Sequence, residues 1–283
     1  MTWEGMHVTT LETAINAARE AGALIREKAA TTKQVQFKSS AHDLVTQVDQ
    51  AAEAMIRKRI LENHPEHAIL GEEGVAAGVD ASKAALEENR SHEHLWIVDP
   101  IDGTTNFVHG FPMFCVSIAY AHHQKVTTAV IYDPMRDELF TAEKGRGAFL
   151  GNRSIQVSSE KVLEESLVAT GFPSGDRGVR RRNVEGILKI SPRCRNLRAG
   201  GSAALHLAYV ACGRLSAFWE LELNAWDLAA GSLLVEEAGG KVSDTAGSPY
   251  DIGVRHILAS NGRIHSLLLD ELKEAGATGF EEL

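Results

Sequence analysis

The sequence predicts a mixed α/β protein folded as one large domain or two fused halves. Two long segments near the N-terminus carry apolar residues at helical spacing, short apolar runs elsewhere end in clustered acids, and no repeat or low-complexity tract interrupts them. A chain of 283 residues that is 44% hydrophobic and 24% charged can bury a substantial core.

Residues 10–29 place Leu11, Ile15, Ala18, Leu24 and Ile25 at helix-like intervals, and residues 43–63 do the same with Leu44, Val48, Ala52, Met55, Ile56 and Ile60. Both read as amphipathic helices. His67-Ala68-Ile69-Leu70 reads as a strand ending in Gly71-Glu72-Glu73-Gly74, and Leu95-Trp96-Ile97-Val98 as a strand ending in Asp99-Pro100. The carboxyl ends of strands are where α/β architectures usually place chemistry. Residues 74–94 are polar and weakly patterned, which predicts a mobile loop. Residues 114–121, 127–132 and 138–143 read as successive strands joined by hairpins at His122-His123-Gln124-Lys125 and Asp133-Pro134-Met135-Arg136-Asp137. A helix over 202–211, a strand over 215–220 and a helix over 227–238, stopped by Gly239-Gly240, complete the reading. A softer division near 158–163 separates two layered halves without marking independent folding units.

The composition narrows the function. A net charge of −9 argues against a general nucleic-acid or membrane-surface binder, because both need clustered Lys and Arg. An anionic substrate must then be held locally, by metal or by backbone N–H groups. Cys115, Cys194 and Cys212 are odd in number and lack CxxC spacing, so neither a disulfide framework nor a zinc site is expected. They read as small buried apolar groups. The start of the chain lacks a basic segment followed by an apolar run, and no window reaches membrane-spanning length; a cytoplasmic protein is expected.

Asp99 and Asp102 carry the chemistry. Pro100 lacks an N–H and fixes one dihedral, so it should halt strand pairing and turn the chain after Asp99. Gly103 permits close approach of a ligand to the backbone, and Thr104-Thr105-Asn106 has the composition of a helix start whose N–H groups face an anion. Carboxylates beside an anion seat would repel phosphate unless hard divalent cations bridge the two. Taken alone, Asp-Pro-x-Asp-Gly is also an ordinary polar turn. Glu72-Glu73 and Asp227 supply further acids from separate segments, and together they could form a two-metal site if the fold gathers them. Each has a plainer reading: a solvated loop for Glu72-Glu73, and an acid stabilising a helix N-terminus for Asp227. Trp226 reads as core packing. Arg180-Arg181-Arg182 reads as a solvated charge run in a Gly-rich connection, His122-His123 as structural, and Gly145-Arg146-Gly147 precedes no helix, against dinucleotide binding.

Glu72 within Gly71-Glu72-Glu73, the string from Asp99 to Asn106, and Trp226-Asp227 followed by Glu237-Ala238-Gly239-Gly240 resemble the inositol monophosphatase family in order and separation. The resemblance runs from about Thr10 past Asn261. It implies one phosphatase domain over 1–283 with alternating helix and sheet layers, a homodimer, and magnesium-dependent, lithium-sensitive hydrolysis of a small phosphorylated polyol or sugar. By the same resemblance Glu72, Asp99, the Ile101 carbonyl, Asp102 and Asp227 hold two Mg²⁺, and Lys38, Asp49 and Glu73 surround a weaker third position. Glu72 and Thr104 orient the attacking water, Gly103 and Thr104 N–H groups seat the phosphate, and Gly201, Ser202, Ala203 and Glu220 hold sugar-alcohol hydroxyls. The implied reaction is direct in-line attack of metal-activated water, with Asp99 shared by both ions. Glu220 suits an inositol hydroxyl better than a second phosphate, so myo-inositol monophosphate is the first expectation. Relatives act on fructose 1,6-bisphosphate, histidinol phosphate, nucleotide 3′-phosphates or the 2′-phosphate of NADP, and a regulatory binding protein retaining the fold is the reading of a different class. Gly200 stands where many relatives carry a side chain, and His206 where Asp or Asn is frequent.

Overall fold

The computed structural model describes residues 8–32, 41–173 and 177–279. Helices α1 (Thr10–Thr32) and α2 (Ala41–Asn63) form the outermost layer, and each runs slightly past its predicted bounds. Beneath them lies a seven-stranded sheet in sequence order: β1 (Ala68–Gly71), β2 (His94–Asp102), β3 (Cys115–His122), β4 (Lys125–Asp133), β5 (Glu138–Glu143), β6 (Ala148–Leu150) and β7 (Arg153–Ile155). Only β1 and β2 run parallel; the other pairs are antiparallel. A second sheet has five strands, β8 (Leu167–Thr170), β9 (Asn196–Arg198), β10 (Ala217–Glu220), β11 (Lys241–Asp244) and β12 (Ile257–Ser260), in the order β11-β12-β10-β8-β9. Residues 156–166 join the two sheets.

Helices α6 (Ala203–Ala211) and α7 (Ala225–Glu237) pack between the sheets, while α5 (Arg177–Ile190) and α8 (His265–Glu274) cover the outer face of the second. The molecule is therefore an α/β sandwich of alternating helix and sheet layers. The pattern of α7 explains its place. Trp226, Leu228, Ala229, Leu233, Leu234 and Val235 leave no polar stripe along most of the helix, and a helix apolar all round must be covered on all sides. Each fully buried large side chain contributes about 1.5–3 kcal/mol through apolar burial.

Alternation along the strands directs the site. In β2, Leu95 and Ile97 join the core shared with α6 and α7, whereas Trp96 and Val98 join the core under α1 and α2. Because successive side chains point to opposite faces, Asp99 falls on the α7 side. Asp102, three residues on, would face the other way in a regular strand. Instead Asp99 pairs with Ser117 and Asp102 with Cys115, so three steps on β2 match two on β3. This one-residue bulge returns Asp102 to the face of Asp99 and sends Ile101 into the opposite core.

Pro100 accordingly does not end the strand as expected. It sits inside the irregular stretch, where its missing N–H removes no ladder bond, and β2 continues to Asp102. The expected mobile loop over 74–94 contains a helix, α3 (Val79–Asn89), preceded by a 3₁₀ turn at Glu72–Gly74. Its Ala- and Glu-rich composition favours helix, but only Ser82 and Leu86 are buried, so no wide apolar stripe marks it. The connection carrying Arg180-Arg181-Arg182 is likewise helical. Val179, Asn183, Gly186 and Ile190 form the buried face of α5, leaving Arg180 and Arg181 exposed while Arg182 donates to the Thr278 carbonyl at 3.2 Å. Among the described residues, no helix is long and apolar enough to cross a membrane.

Candidate active site

Three carboxylates meet where β2 ends and α7 begins. Oxygens of Asp99, Asp102 and Asp227 lie within 4.8 Å of one another. Asp227 also plays the plainer part expected of it, since its Oδ2 accepts the Asn224 N–H at 2.6 Å and caps α7. Asp102 is anchored from α6. Its Oδ2 accepts the Ser202 hydroxyl at 2.5 Å and the Ala204 N–H at 2.8 Å, which leaves the other oxygen for the cluster. Asp99 Oδ1 is buried and has no hydrogen-bond partner among the described residues. A buried oxygen left without a partner is costly unless a further group satisfies it.

The electrostatics report the same crowding. Burial raises Asp99 and Asp227 well above the ordinary carboxylate range, and neighbouring acids add to both shifts. Burial also raises Asp102, opposed by its hydrogen bonds from Ser202 and the α6 backbone. Glu72 is pushed up to about 7, by burial first and then by Asp49, Glu73 and Asp102, against a hydrogen bond with Asp99 that lowers it. Asp49, on the buried face of α2, rises to about 8 through burial and then through Glu73 and Glu53. Lys38 lies outside the described residues.

Glu53 was not singled out by the sequence reading. It is buried one turn after Asp49, accepts the Glu73 N–H at 2.8 Å and the Arg57 Nε at 2.7 Å, and thereby ties α2 to the Glu72–Gly74 turn. Gly71 is required beside it, because a Cβ there would come within 2.6 Å of the Glu53 carboxylate. Its signal was its spacing, four residues from both Asp49 and Arg57 on one helix face.

Gly103 adopts φ 97° and precedes the short helix α4 (Thr104–His109). A Cβ at this position would lie 2.9 Å from the Met113 carbonyl, so glycine is needed for both conformation and space. The Thr104 hydroxyl donates to the Ile101 carbonyl at 3.0 Å, which brings the two residues together beside Asp102. Asn106 Nδ2 donates at 2.7 Å to both Met113 O and Gly200 O, holding the 200–201 loop over this corner.

A cavity of about 350 Å³ adjoins Asp102 and is lined by Asn106, Gly171, Gly201, Ala203 and Glu220 among others. Glu220 is buried and pushed up to about 8, by burial and then by Asp227 and Asp102. Of the residues expected to face a sugar alcohol, Gly201, Ala203 and Glu220 line this cavity. Ser202 does not. It is fully buried, and its hydroxyl is committed to Asp102 and to capping α6, accepting the Leu205 N–H at 3.3 Å. The departures at Gly200 and His206 prove to be one feature. His206 Nε2 accepts the Gly200 N–H at 3.1 Å, and a Cβ on Gly200 would come within 2.8 Å of that nitrogen and overlap Met113. Burial pushes His206 down to about 4, so its ring is neutral and acts as an acceptor.

The family model described as "Inositol monophosphatase family" matches residues 7–277. The chain belongs to the inositol monophosphatase family. Inositol monophosphatase 2 of Solanum lycopersicum is 43% identical, covering 94% of this chain and 98% of its own length. Nus factor SuhB of Pseudomonas aeruginosa is 42% identical over 93% of this chain and 95% of its own. Among solved structures, inositol monophosphatase from Anabaena (Nostoc) sp. PCC 7120 matches with a TM-score of 0.79 at 38% identity, covering 93% of this chain and 95% of that one. Inositol monophosphate-bound SaIMPase-II matches with a TM-score of 0.74 at 30% identity, covering 93% and 94%. For this metal-dependent family the carboxylate corner fits its cation. All donors are hard oxygens, as magnesium prefers, and the buried Asp99 oxygen that has no partner among the described residues is a donor such an ion would satisfy.

Proposed function

We propose that this protein is a magnesium-dependent phosphomonoesterase whose first substrate is myo-inositol monophosphate. The observation that carries the proposal is the junction of the Asp99, Asp102 and Asp227 corner with the cavity holding Glu220. Glu72, Asp99, the Ile101 carbonyl, Asp102 and Asp227 would hold two ions, with Asp49, Glu73 and Lys38 around a weaker third position. Bound magnesium supplies the positive charge that lets a phosphate dianion sit among carboxylates and that acidifies water near neutral pH.

The chain's own groups do the rest. Gly103 and Thr104 offer backbone N–H groups to the phosphate. Thr104 and Glu72 orient the attacking water, and the Glu72 carboxylate beside it takes its proton. The water oxygen attacks phosphorus in line as the ester P–O bond breaks, and the alkoxide leaves toward Glu220, taking a proton from solvent water to become the alcohol. Ser202 and α6 hold Asp102 in place throughout.

The cavity beside Asp102 supports a neutral polyol over a second anion. Glu220 stands in it as a hydroxyl partner, and neither Lys nor Arg is among its described lining residues. The relative bound to inositol monophosphate supports the same choice over fructose 1,6-bisphosphate or histidinol phosphate, while the structure of 2'AMP-bound SaIMPase-II keeps a nucleotide monophosphate as the alternative substrate. The family resemblance further supports a lithium-sensitive cytoplasmic homodimer. A second reading, a regulatory binding protein that keeps the fold, draws on the relative named Nus factor SuhB. Phosphate release from a panel of monoesters, with and without magnesium, tests both. Magnesium-dependent release, fastest from inositol monophosphate, is the expected result; no release from any monoester would overturn the enzyme reading.

A further inference from the structure

A second group of ligating side chains stands at the other end of β2. His94 opens that strand, whereas Asp99 and Asp102 lie at its far end. His94 pairs with His122, the last residue of β3, and His123 begins the two-residue turn into β4. The rings of His67, His94 and His122 stack in series, with centroids 4.4 and 5.1 Å apart, and His123 lies 4.3 Å beyond. Glu93 closes the group. Its Oε1 lies 3.2 Å from His122 Nε2, 3.5 Å from His123 Nε2 and 3.7 Å from His94 Nε2.

We propose that Glu93, His122 and His123 form a site for a divalent first-row transition ion such as Zn²⁺ or Ni²⁺, with His94 beside the Glu93 carboxylate. Ligand atoms of Glu93, His122 and His123 all lie within 4.8 Å of one another. Metal–nitrogen bonds of about 2.0–2.1 Å in a tetrahedron require ligand separations of roughly 3.3 Å, close to the spacing around the Glu93 oxygen. Imidazole nitrogens select zinc, nickel or copper over magnesium, so the site is chemically distinct from the carboxylate corner.

Two further observations support a built site. The Tyr120 hydroxyl is 2.7 Å from His94 Nδ1, which fixes that ring with Nε2 3.7 Å from Glu93 Oε1 and so braces the carboxylate from behind, as outer partners do for metal ligands. The turn residues His123 and Gln124 hold φ values of 47° and 62°, where Asn-Gly would be the ordinary choice. This unfavourable backbone places His123 beside His122, and the His123 N–H donates to the Glu93 carbonyl at 2.9 Å. A bound ion would clamp the β3–β4 turn to the segment entering β2.

Calorimetric titration of the untagged full-length protein with NiCl₂, at saturating magnesium, tests the proposal. Wild type and Asp99→Asn should each bind one equivalent, and the paired substitution His122→Ala with His123→Ala should weaken binding at least ~tenfold. Should that double variant fail to fold, Glu93→Gln, which preserves size, should show the same direction of loss. Nickel binding unchanged in whichever of these variants is folded, or abolished by Asp99→Asn, would overturn the site.

Discussion

At the residue scale, Gly171 shows how substrate preference depends on a missing side chain. A Cβ there would overlap the Glu220 carboxylate, so glycine is what lets that acid stand in the cavity beside Asp102. Gly171→Ala is therefore expected to displace Glu220 and raise KM for inositol monophosphate more than it lowers kcat, since the carboxylate corner is untouched. Steady-state kinetics check this, and an unchanged KM would remove Glu220 from the hydroxyl contacts. Legibility in the sequence also differed residue by residue. Asp99, Asp102, Glu72 and Asp227 stand out because acids follow apolar strands or open a helix. Glu53 and Asn106 do not, because a buried acid on a helix face and an amide that braces two carbonyls look like ordinary solvent-facing side chains until their neighbours are known. Ser202 was expected to reach substrate. The N-terminus of α6 claims it instead.

At the scale of elements, the bulge in β2 is the device that makes two aspartates one site. Period-two alternation would otherwise send Asp99 and Asp102 to opposite faces. The paired carboxylates were visible in the sequence, but the extra residue that aligns them was not, since Pro100 reads more readily as the end of a strand. Helix α3 was missed for a related reason: with Leu86 its one buried apolar side chain, it lacks the wide stripe that made α1 and α2 legible. The brace between α2 and the Glu72–Gly74 turn gives this scale its prediction. Glu53→Ala leaves the Glu73 N–H and the Arg57 Nε–H without their acceptor and should cost about 1–3 kcal/mol of stability. Urea unfolding measures the loss, and a stability equal to wild type would show that the brace is idle.

For the whole molecule, the acidic corner couples folding to protons and cations. Asp49 and Glu220 titrate near 8 and Glu72 near 7 in the folded chain, against about 4 to 4.5 once unfolded. Through these acids the folded metal-free protein binds more protons than the unfolded chain, while His67, His206, His256 and His265, pushed down to about 4 by burial, oppose them only below about pH 6.5, so its stability falls as pH rises from about 6.5 through 8. Its Tm should be lower at pH 8 than at pH 6.5. Magnesium, replacing the protons, should raise Tm more at pH 8 than at pH 6.5. Thermal unfolding at both values, with and without the ion, checks the sign, and a metal-free Tm that climbs with pH would contradict it. The layered architecture itself was legible largely through the family resemblance, because spacing along a chain does not say which helices lie between two sheets. The central claim concerns the cation-holding corner, and Asp99→Asn addresses it most directly. With saturating magnesium, wild type should release phosphate from myo-inositol monophosphate, and the variant, with an unchanged circular dichroism spectrum, should be slower by a factor on the order of 10³. Phosphate release by Asp99→Asn at a rate comparable to wild type would contradict the account.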